Sequence, residues 1–434
     1  MKIQLDLRKI TQNAYFLSIL LVSLPPFYFL FSFLNIHSLA KIIWLLLFLY
    51  LAHRFYQKKT AHGVNSTLIF LFVLFFISQS ASIISAINVN AFLQKYEDFF
   101  FSALFFLTSL FFIDSYRSVR KIIYILIGAV FVNALFQGII FFNPDFFLNI
   151  GRSFLHEGYL EIININIQRS RVYSEVYDEV LIPIIISLWV GAKGKKAILL
   201  PSLLLISFFS FVSNFRTRFL MLALSFMGTF IVFIKEFKKY FLAIGIVLVL
   251  FYFLYSAVFS RLGFTVIERM LLEDRGEDVV TVTSRISNWV KSVEIGLSAP
   301  ILGVGLGNYY EYLDFPMKQV LTSLEFVKRE NELASFYPHN IFFEIFAESG
   351  FLGLFSFILL LSYFVKKDLS LIIGGNPLVK AFVVSFWVLI GHALFNPAST
   401  VKYLVYFWLL RVIIEKAEML GDYSRRLTKN SSKV

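Results

Sequence analysis

The stretch that decides the fold runs from Thr283 to Gly353, and its last part, residues 337–353, reads YPHNIFFEIFAESGFLG. Up to Pro338 the stretch is largely polar, and from residue 341 it becomes an apolar run that reaches about residue 365. A polar loop that leads into so long an apolar run predicts the point where a chain enters a membrane. His339 lies at this junction, where a membrane protein would meet a water-borne or lipid-linked molecule.

The rest of the chain has the composition of a membrane protein. Of its 434 residues, 58% are hydrophobic and only 16% are charged, whereas soluble domains carry about 25% charged residues. A helix that crosses the hydrocarbon core needs about 20 apolar residues. The sequence therefore predicts an all-α, polytopic membrane protein of about twelve spans, at residues 14–35, 38–53, 66–86, 93–113, 121–143, 177–192, 197–214, 217–234, 240–260, 340–365, 378–395 and 399–415.

Two of these spans have acidic residues at their ends, Glu97 with Asp98 in the fourth and Asp178 with Glu179 in the sixth. Charged groups inside a membrane are costly, so these acids argue against the two spans. In the fifth span, Asn133 and Gln137 lie one turn apart, and we expect them to hydrogen-bond to neighbouring helices.

The distribution of charge orients the spans. With the N-terminus in the cytoplasm, every connection predicted on the inner side is rich in Lys and Arg, which is the positive-inside pattern. The outer loop at 261–338 instead holds eight Lys and Arg against eleven Asp and Glu, a net charge of −3. Both termini are therefore predicted to be cytoplasmic, and the segments 144–176 and 261–339 to lie outside.

Three regions follow from this topology: spans one to nine within residues 1–260, the outer loop 261–339, and the last spans with a basic tail within 340–434. The net charge of +12 is spread over short inner loops with no basic face, so nucleic acid is not an expected partner. The chain contains no cysteine, which excludes disulfides, thiol catalysis and cysteine-bound metal.

Two arginines, Arg216 and Arg218, lie in the short connection between the seventh and eighth spans. An arginine at a membrane boundary needs water, lipid headgroups or the protein interior around it. Each side chain can extend to a lipid phosphate, or its planar guanidinium can bind a phosphate of a substrate. Because residues i and i+2 of a helix point to different sides, only one is expected to face a site. Arg169 and Arg171, in the other outer segment, raise the same two alternatives.

Helical signals also occur within the outer loop. Thr283 or Ser284 can cap a helix on which Arg285 and Trp289 share one face, at positions i and i+4. Pro300 is predicted to stop that helix, and a turn-rich segment with three alternate glycines follows it. Trp289 can stack on a bound molecule or pack within the loop, and the sequence favours neither.

His339 differs from the other histidines because it lies between Pro338 and Asn340 at the mouth of a span. A neutral imidazole there can take a proton from an attacking hydroxyl, although a histidine at a helix start more often serves as a cap or surface residue. The acidic run Glu273, Asp274, Glu277 and Asp278 lacks recognisable metal-ligand spacing and is interpreted as a solvated loop face.

Three motifs follow one another along the chain: Arg285-x3-Trp289, Ala299-Pro300-x2-Gly303-x-Gly305-x-Gly307 and His339-Asn340-x9-Gly350-x2-Gly353. In this order and spacing they resemble the domain shared by O-antigen ligases and Wzy-type O-antigen polymerases. They cover about residues 200–360, and the spans, the long outer loop and the basic inner tails agree over the whole chain. The resemblance implies a GT-C-like fold.

Two arginine segments add to the resemblance. Arg216-Thr217-Arg218-Phe219 is similar to the Ser-Arg-Thr-Gly-type helix start of the family, with Phe215 in place of the serine and Arg218 in place of the small residue. Arg171-Val172-Tyr173-Ser174 is similar to another arginine segment of the family, without the Pro-Asn that usually follows. Arg216 therefore matches the family pattern better than Arg218 does.

The resemblance implies glycan transfer at the periplasmic face of a bacterial inner membrane, from a glycan on undecaprenyl pyrophosphate to an acceptor hydroxyl. Negative charge grows on the leaving pyrophosphate, and guanidinium groups placed there would stabilise it without a metal or other cofactor. The catalytic candidates are His339 as the base and Arg216 and Arg285 as the clamp. The substrate-binding candidates are Arg218, Arg171, Arg169, Asn340, Trp289, Gly303, Gly305 and Gly307, the glycines because they allow backbone to approach a sugar.

Three functions remain open at this point. A polymerase joins repeat units that are both undecaprenyl-linked, and it would have a chain-length regulator as a partner. A ligase transfers the glycan to lipid A–core, or to protein in the related oligosaccharyltransferases. A transporter of such lipids belongs to another class, but the internal repeats and broken helices with midplane charges that mark transporters are not evident in the sequence. The spacing Arg285-x10-Gly296 resembles polymerase loops and favours the polymerase over the ligase.

Overall fold

A computed structural model describes residues 2–26, 28–29, 34–56, 65–153, 155, 157–168, 177–191, 196–213, 216–233, 276–312, 338–396 and 400–417. Short 3-10 turns occupy Ser82–Ser85, Asp178–Leu181 and Tyr310–Tyr312. The α-helices in chain order are α1 Lys2–Ser23, α2 Ile36–Tyr56, α3 Ser66–Ala81, α4 Val89–Phe112, α5 Tyr116–Phe142, α6 Pro144–Gly151, α7 Glu157–Gln168, α8 Ile182–Gly191, α9 Lys196–Val212, α10 Arg216–Val232, α11 Gly276–Ser298, α12 Ile341–Gly374, α13 Pro377–Ala393 and α14 Val401–Glu415.

Each predicted span within the described residues overlaps a helix, and the span predicted at 240–260 lies outside them. The first span differs most, because α1 ends at Ser23 instead of near residue 35. Pro25 and Pro26 follow α1, and proline cannot continue a helix. Two-residue strands β1 Tyr28–Phe29 and β2 Leu34–Asn35 pair antiparallel between α1 and α2, a small exception to the all-α prediction.

Several helices present apolar surface to their surroundings. By length and composition, the described helices that could cross a membrane are Ile36–Phe55, Ser66–Ser85, Tyr116–Phe142 and Ile341–Gly374. Within them, Leu46, Phe70 and Leu135 are 60%, 65% and 67% exposed. Extended apolar surface of this kind is rare on soluble monomers, and lipid is the solvent that suits it. The protein is therefore a helical membrane protein.

Aromatic side chains fill the centre of the bundle. The Phe106 ring centroid lies 4.4 Å from that of Phe72 and 4.5 Å from that of Trp408, which joins α4, α3 and α14. Almost every residue of α14 is buried, so α14 is a central helix. Tilted and edge-on aromatic pairs of this type stabilise beyond the area that they bury.

The acidic residues that argued against two spans have cationic partners. Lys41 of α2 lies 2.7 Å from Glu97 and 2.6 Å from Asp98 of α4. Glu179, just before α8, lies 2.6 Å from Arg218 of α10. A charge in a membrane protein becomes tolerable when it is paired, so these acids are compatible with α4 and with the turn before α8.

The prediction for the polar residues of α5 is confirmed. Asn133 donates from Nδ2 to both carboxylate oxygens of Asp178, over 3.2 and 3.3 Å. Gln137 accepts through Oε1 from Nη1 of Arg218 over 2.6 Å. Both side chains therefore join α5 to neighbouring elements, as interhelical hydrogen bonds in membranes do.

The first turns of α12 are separated from the rest of the helix by a break at Gly350. Its backbone has φ 61° and ψ −160°, which no α-helix contains. Residues 300–305 supply the missing partners through backbone hydrogen bonds of 2.7–3.2 Å. The N–H groups of Val304 and Gly305 donate to the carbonyls of Ala347 and Glu348. The N–H groups of Phe351 and Leu352 donate to the carbonyls of Pro300 and Ile301. Backbone groups at a helix break inside a membrane protein must be satisfied by protein or water, and here a loop of the same chain does so.

Candidate active site

The site begins with the backbone of His339, which has φ 55°, a left-handed conformation that is uncommon in residues other than glycine. The next residue, Asn340, is the N-cap of α12. Its Oδ1 accepts from the N–H groups of Phe342 and Phe343 over 2.9 and 3.4 Å, and its Nδ2 donates to the carbonyl of Leu394 over 3.2 Å. Asn340 therefore holds the turn that carries His339. Strained backbone held in this way is frequent at functional sites.

His339 is partly buried and interacts with charges of opposite sign. Burial and the neighbouring Arg285 cation lower the pKa of His339 from 6.5 to about 4, and the carboxylate of Glu344 acts in the opposite direction. The imidazole is consequently neutral near pH ~7. A neutral imidazole is the form that can accept a proton.

The helix predicted in the outer loop is present as α11, but it begins at Gly276. Thr283 and Ser284 lie inside it and are not its caps, which corrects the predicted start; the predicted end before Pro300 is confirmed. The Trp289 ring stacks on Phe343 with centroids 5.6 Å apart and an interplanar angle of 28°. This contact packs α11 on the first turns of α12.

Gly296 makes the same packing possible nearer the end of α11. A Cβ at Gly296 would lie 2.5 Å from the ring of Phe346, so α11 can approach α12 only with a glycine there. Arg285 lies one turn before Trp289 on the same face of α11. The packing therefore brings Arg285 to the start of α12, beside His339.

The glycine loop lies between two parts of the protein itself. Gly303, Gly305 and Gly307 all have positive φ, at 69°, 95° and 74°. A Cβ at Gly303 would lie 2.3 Å from the backbone of Glu348, and a Cβ at Gly305 would lie 2.6 Å from Ala86. The close approach that these glycines allow is thus to neighbouring helices of the same chain.

A buried charge cluster lies beneath the loop. Lys95 of α4 places its Nζ 2.5 Å from Glu344 and 2.6 Å from Glu348, one turn apart on α12. Both carboxylates are at most 5% exposed, and Glu348 also accepts a hydrogen bond from the backbone of Gly307. The three charged residues border a cavity of about 70 Å³ with otherwise mainly apolar walls. No sequence motif pointed to Lys95, Glu344 or Glu348, although charges inside apolar spans are a signal of function.

Arg218 belongs to a second cluster. Its Nε donates to Glu179 and its Nη1 to Gln137, each over 2.6 Å, and Ser210 also donates to Glu179 over 2.6 Å. The side chain of Arg218 is buried, so these bonds join α10 to α5, α9 and the turn before α8. A substrate phosphate at Arg218 would have to compete with Glu179.

Helix α13 packs against α10, which carries Arg218. Just after α13, the carbonyl of Leu394 accepts a hydrogen bond from Asn340, the N-cap of α12. Helix α13 therefore connects the Arg218 cluster with the start of α12. Around the start of α12 the structure brings together Asn340 and Trp289 with His339 and Arg285, whereas the glycine loop lies farther along α12, at the break near Gly350. Arg216 is the first residue of α10, two residues before Arg218, and Arg169 and Arg171 lie outside the described residues.

Fold and site together define a helical membrane protein with a neutral histidine and an arginine at the start of a broken helix. Residues 201–358 match the O-Antigen ligase family. No curated protein matches the chain. The match contains every motif on which the resemblance was based, apart from the segment at Arg171, and it confirms the resemblance to this family. This family implies glycosyl transfer of the O-antigen ligase or polymerase type, on lipid-linked glycans at a membrane.

Proposed function

We propose that the protein transfers a glycan, with inversion at the anomeric carbon, from undecaprenyl pyrophosphate to an acceptor hydroxyl at the periplasmic face of a bacterial inner membrane. The observation that carries this proposal is the position of His339 beside Arg285 at the start of α12. A group that can accept a proton and a cation that can stabilise a phosphate are thus side by side within the matched domain.

The reaction needs these two groups for different steps. The acceptor oxygen attacks the anomeric carbon while His339 takes its proton. The bond from the anomeric carbon to the pyrophosphate oxygen then breaks, and the departing pyrophosphate carries the electron pair. Arg285 stabilises that charge, and Arg216 is proposed as the second cation of the clamp. The bidentate geometry of arginine suits this role better than lysine.

Contacts between distant parts of the chain support the predicted topology. Asn88 and Asn308, both predicted outside, hydrogen-bond over 2.7 Å. Arg8 and Asp114, both predicted inside, lie 2.8 Å apart. Each contact joins two segments that the charge pattern assigns to the same side of the membrane. His339 belongs to the outer set in this arrangement.

We propose a repeat-unit polymerase, with a chain-length regulator as an expected partner, as the particular activity. The spacing Arg285-x10-Gly296 favoured this choice, but Gly296 has a packing reason of its own against Phe346, which weakens that support. The second candidate is a ligase, favoured by the description of the matched family, with lipid A–core or a protein as the acceptor. Both candidates use the same donor and the same base.

One reconstitution experiment separates the candidates. Purified protein in nanodiscs receives undecaprenyl-pyrophosphate-linked repeat units, either alone or together with lipid A–core. Longer glycans formed from the repeat units alone indicate a polymerase, whereas a product that requires lipid A–core indicates a ligase. A transporter would form no new glycosidic bond and would release no undecaprenyl pyrophosphate, and that result would overturn the proposal.

A further inference from the structure

The Lys95 cluster places two carboxylates close to the proposed base. One cation, Lys95, is shared by Glu344 and Glu348, whose side chains are at most 5% exposed. Charged groups removed from water need nearby partners. Arg285, a further cation, interacts electrostatically with His339.

The two carboxylates differ in how they are satisfied. Glu348 is bound by Lys95 through Oε2 and accepts a hydrogen bond from the backbone of Gly307. Glu344 is bound by Lys95 through Oε1, and its Oε2 is buried without a hydrogen-bond partner among the described residues. Glu344 is therefore the less completely satisfied of the two carboxylates.

Glu344 is also the carboxylate closest to the base along the helix. It lies in the first turn of α12, directly after the turn that Asn340 caps, and it interacts electrostatically with His339. Arg285 from α11 and Glu344 from α12 both act electrostatically on the imidazole. Lys95 pairs with Glu344 and with Glu348.

We infer that Glu344 is the positioning residue for His339, and that Lys95 holds its carboxylate where it stabilises the imidazolium formed during glycan transfer. The inference rests on the proposed function. As the acceptor oxygen bonds to the anomeric carbon, its proton moves to the imidazole, which becomes positive beside Arg285. Without a nearby anion, this charge would be opposed by burial and by the arginine. A carboxylate that stabilises an imidazolium in this way need not take the proton itself.

The test compares Glu344→Gln with Glu348→Gln, because each substitution removes one carboxylate from Lys95 and only Glu344 acts on His339. In nanodiscs with undecaprenyl-pyrophosphate-linked repeat units, we expect Glu344→Gln to lower kcat by up to about 10²-fold, the lower end of what a proton-transferring group contributes, with little change in KM. The wild type should lose activity as the pH falls toward about 4. The activity of Glu344→Gln should change little over this pH range, because His339 is less basic without the carboxylate. The activity of Glu348→Gln should depend on pH as that of the wild type does.

The outcomes separate this inference from the proposed function. If the wild type forms no new glycosidic bond, the proposed function fails and the inference with it. If His339→Ala is inactive but the two Gln variants have equal kcat and equal pH profiles, the inference alone is overturned. Should Glu344→Gln not fold in a thermal melt, Glu344→Asp and Glu348→Asp replace the pair. We then expect the first to lower kcat by displacing the carboxylate and the second to leave kcat unchanged, and equal kcat values would overturn the inference.

Discussion

The backbone N–H of Gly305 donates to the carbonyl of Glu348 over 2.9 Å, and this bond joins two motifs that lie far apart in sequence. The glycine loop thereby supplies a hydrogen-bond partner that α12 lacks where it breaks at Gly350. The same helix segment carries Glu344 and Glu348 toward Lys95 and begins just after His339 and the N-cap Asn340. Loop, break and base are therefore one structural unit.

Substitution within the glycine loop should destabilise the protein. In Gly303→Ala, the new Cβ would lie 2.3 Å from the backbone of Glu348, at a φ of 69°. Strain of that backbone type alone costs about 1–3 kcal/mol, and a backbone clash cannot be relieved by a rotamer change. We expect a lower melting temperature in detergent and loss of transfer activity. Gly128→Ala is the control, because no atom lies within 4 Å of a Cβ at that position, and an equal loss in both variants would contradict this account.

Arg218 is expected to act mainly on stability. Arg218→Met would leave Glu179 buried without its cation, and breaking a buried ion pair in this way costs about 3–5 kcal/mol. Thermal melts should show the loss, and adding Glu179→Gln in the same chain should recover part of it because the uncompensated charge is gone. A melt of Arg218→Met that equals the wild type would show that the ion pair does not hold the helices together.

Arg216 is expected to contribute to the transfer reaction and not to stability. Arg216→Lys keeps the charge but loses the planar fork that binds phosphate oxygens at two points. We expect most of the transfer activity to be lost while the melting temperature stays near that of the wild type. Full activity of this variant at normal expression would mean that Arg216 only extends to lipid headgroups.

His339→Ala should separate turnover from folding. Removal of a positioned base typically lowers the rate by about 10²–10⁴, so visible glycan product should disappear. Binding of the lipid-linked donor and the thermal melt should change little. His53→Ala, at an exposed position of α2, is the matched control, and near-normal turnover in His339→Ala would remove the assignment of the base.

The stability of the protein should depend on pH through His339. Its pKa is lowered from 6.5 to about 4 in the folded protein, so between these values the unfolded chain binds a proton that the folded protein does not. The stability associated with the neutral imidazole is complete above about pH 6.5 and is lost as the pH falls toward about 4. Melts across this range should therefore decline more steeply for the wild type than for His339→Asn. Parallel curves would contradict the lowered pKa.

The predicted topology can be tested independently of activity. A reporter enzyme that works only in the periplasm should be active when fused after Lys328. A reporter that works only in the cytoplasm should be active at either terminus. A cytoplasmic position for Lys328 would overturn both the topology and the proposed site of reaction.

Much of the site was predictable because its motifs act locally. The order Pro338, His339, Asn340 before an apolar run already indicates a capped helix start, and Pro300 indicates the end of α11. The start of α11 was predicted wrongly because Thr283 and Ser284 are good caps in isolation, whereas the helix continues back to Gly276. The first span was misplaced because its apolar run extends past Pro25 and Pro26, where no helix can continue.

Hydropathy and charge along the chain determined by themselves that this is a helical membrane protein, roughly where its helices run, and that His339 stands at a helix start. These properties are local, since a helix in lipid satisfies its own backbone. Only the tertiary structure decided that Lys95 meets Glu344, that Glu179 takes Arg218, and that the glycines face protein backbone. Lipid is as apolar as the helix surfaces, so hydropathy does not specify which helices pair. Small residues and a few buried polar contacts between segments far apart in sequence specify that pairing.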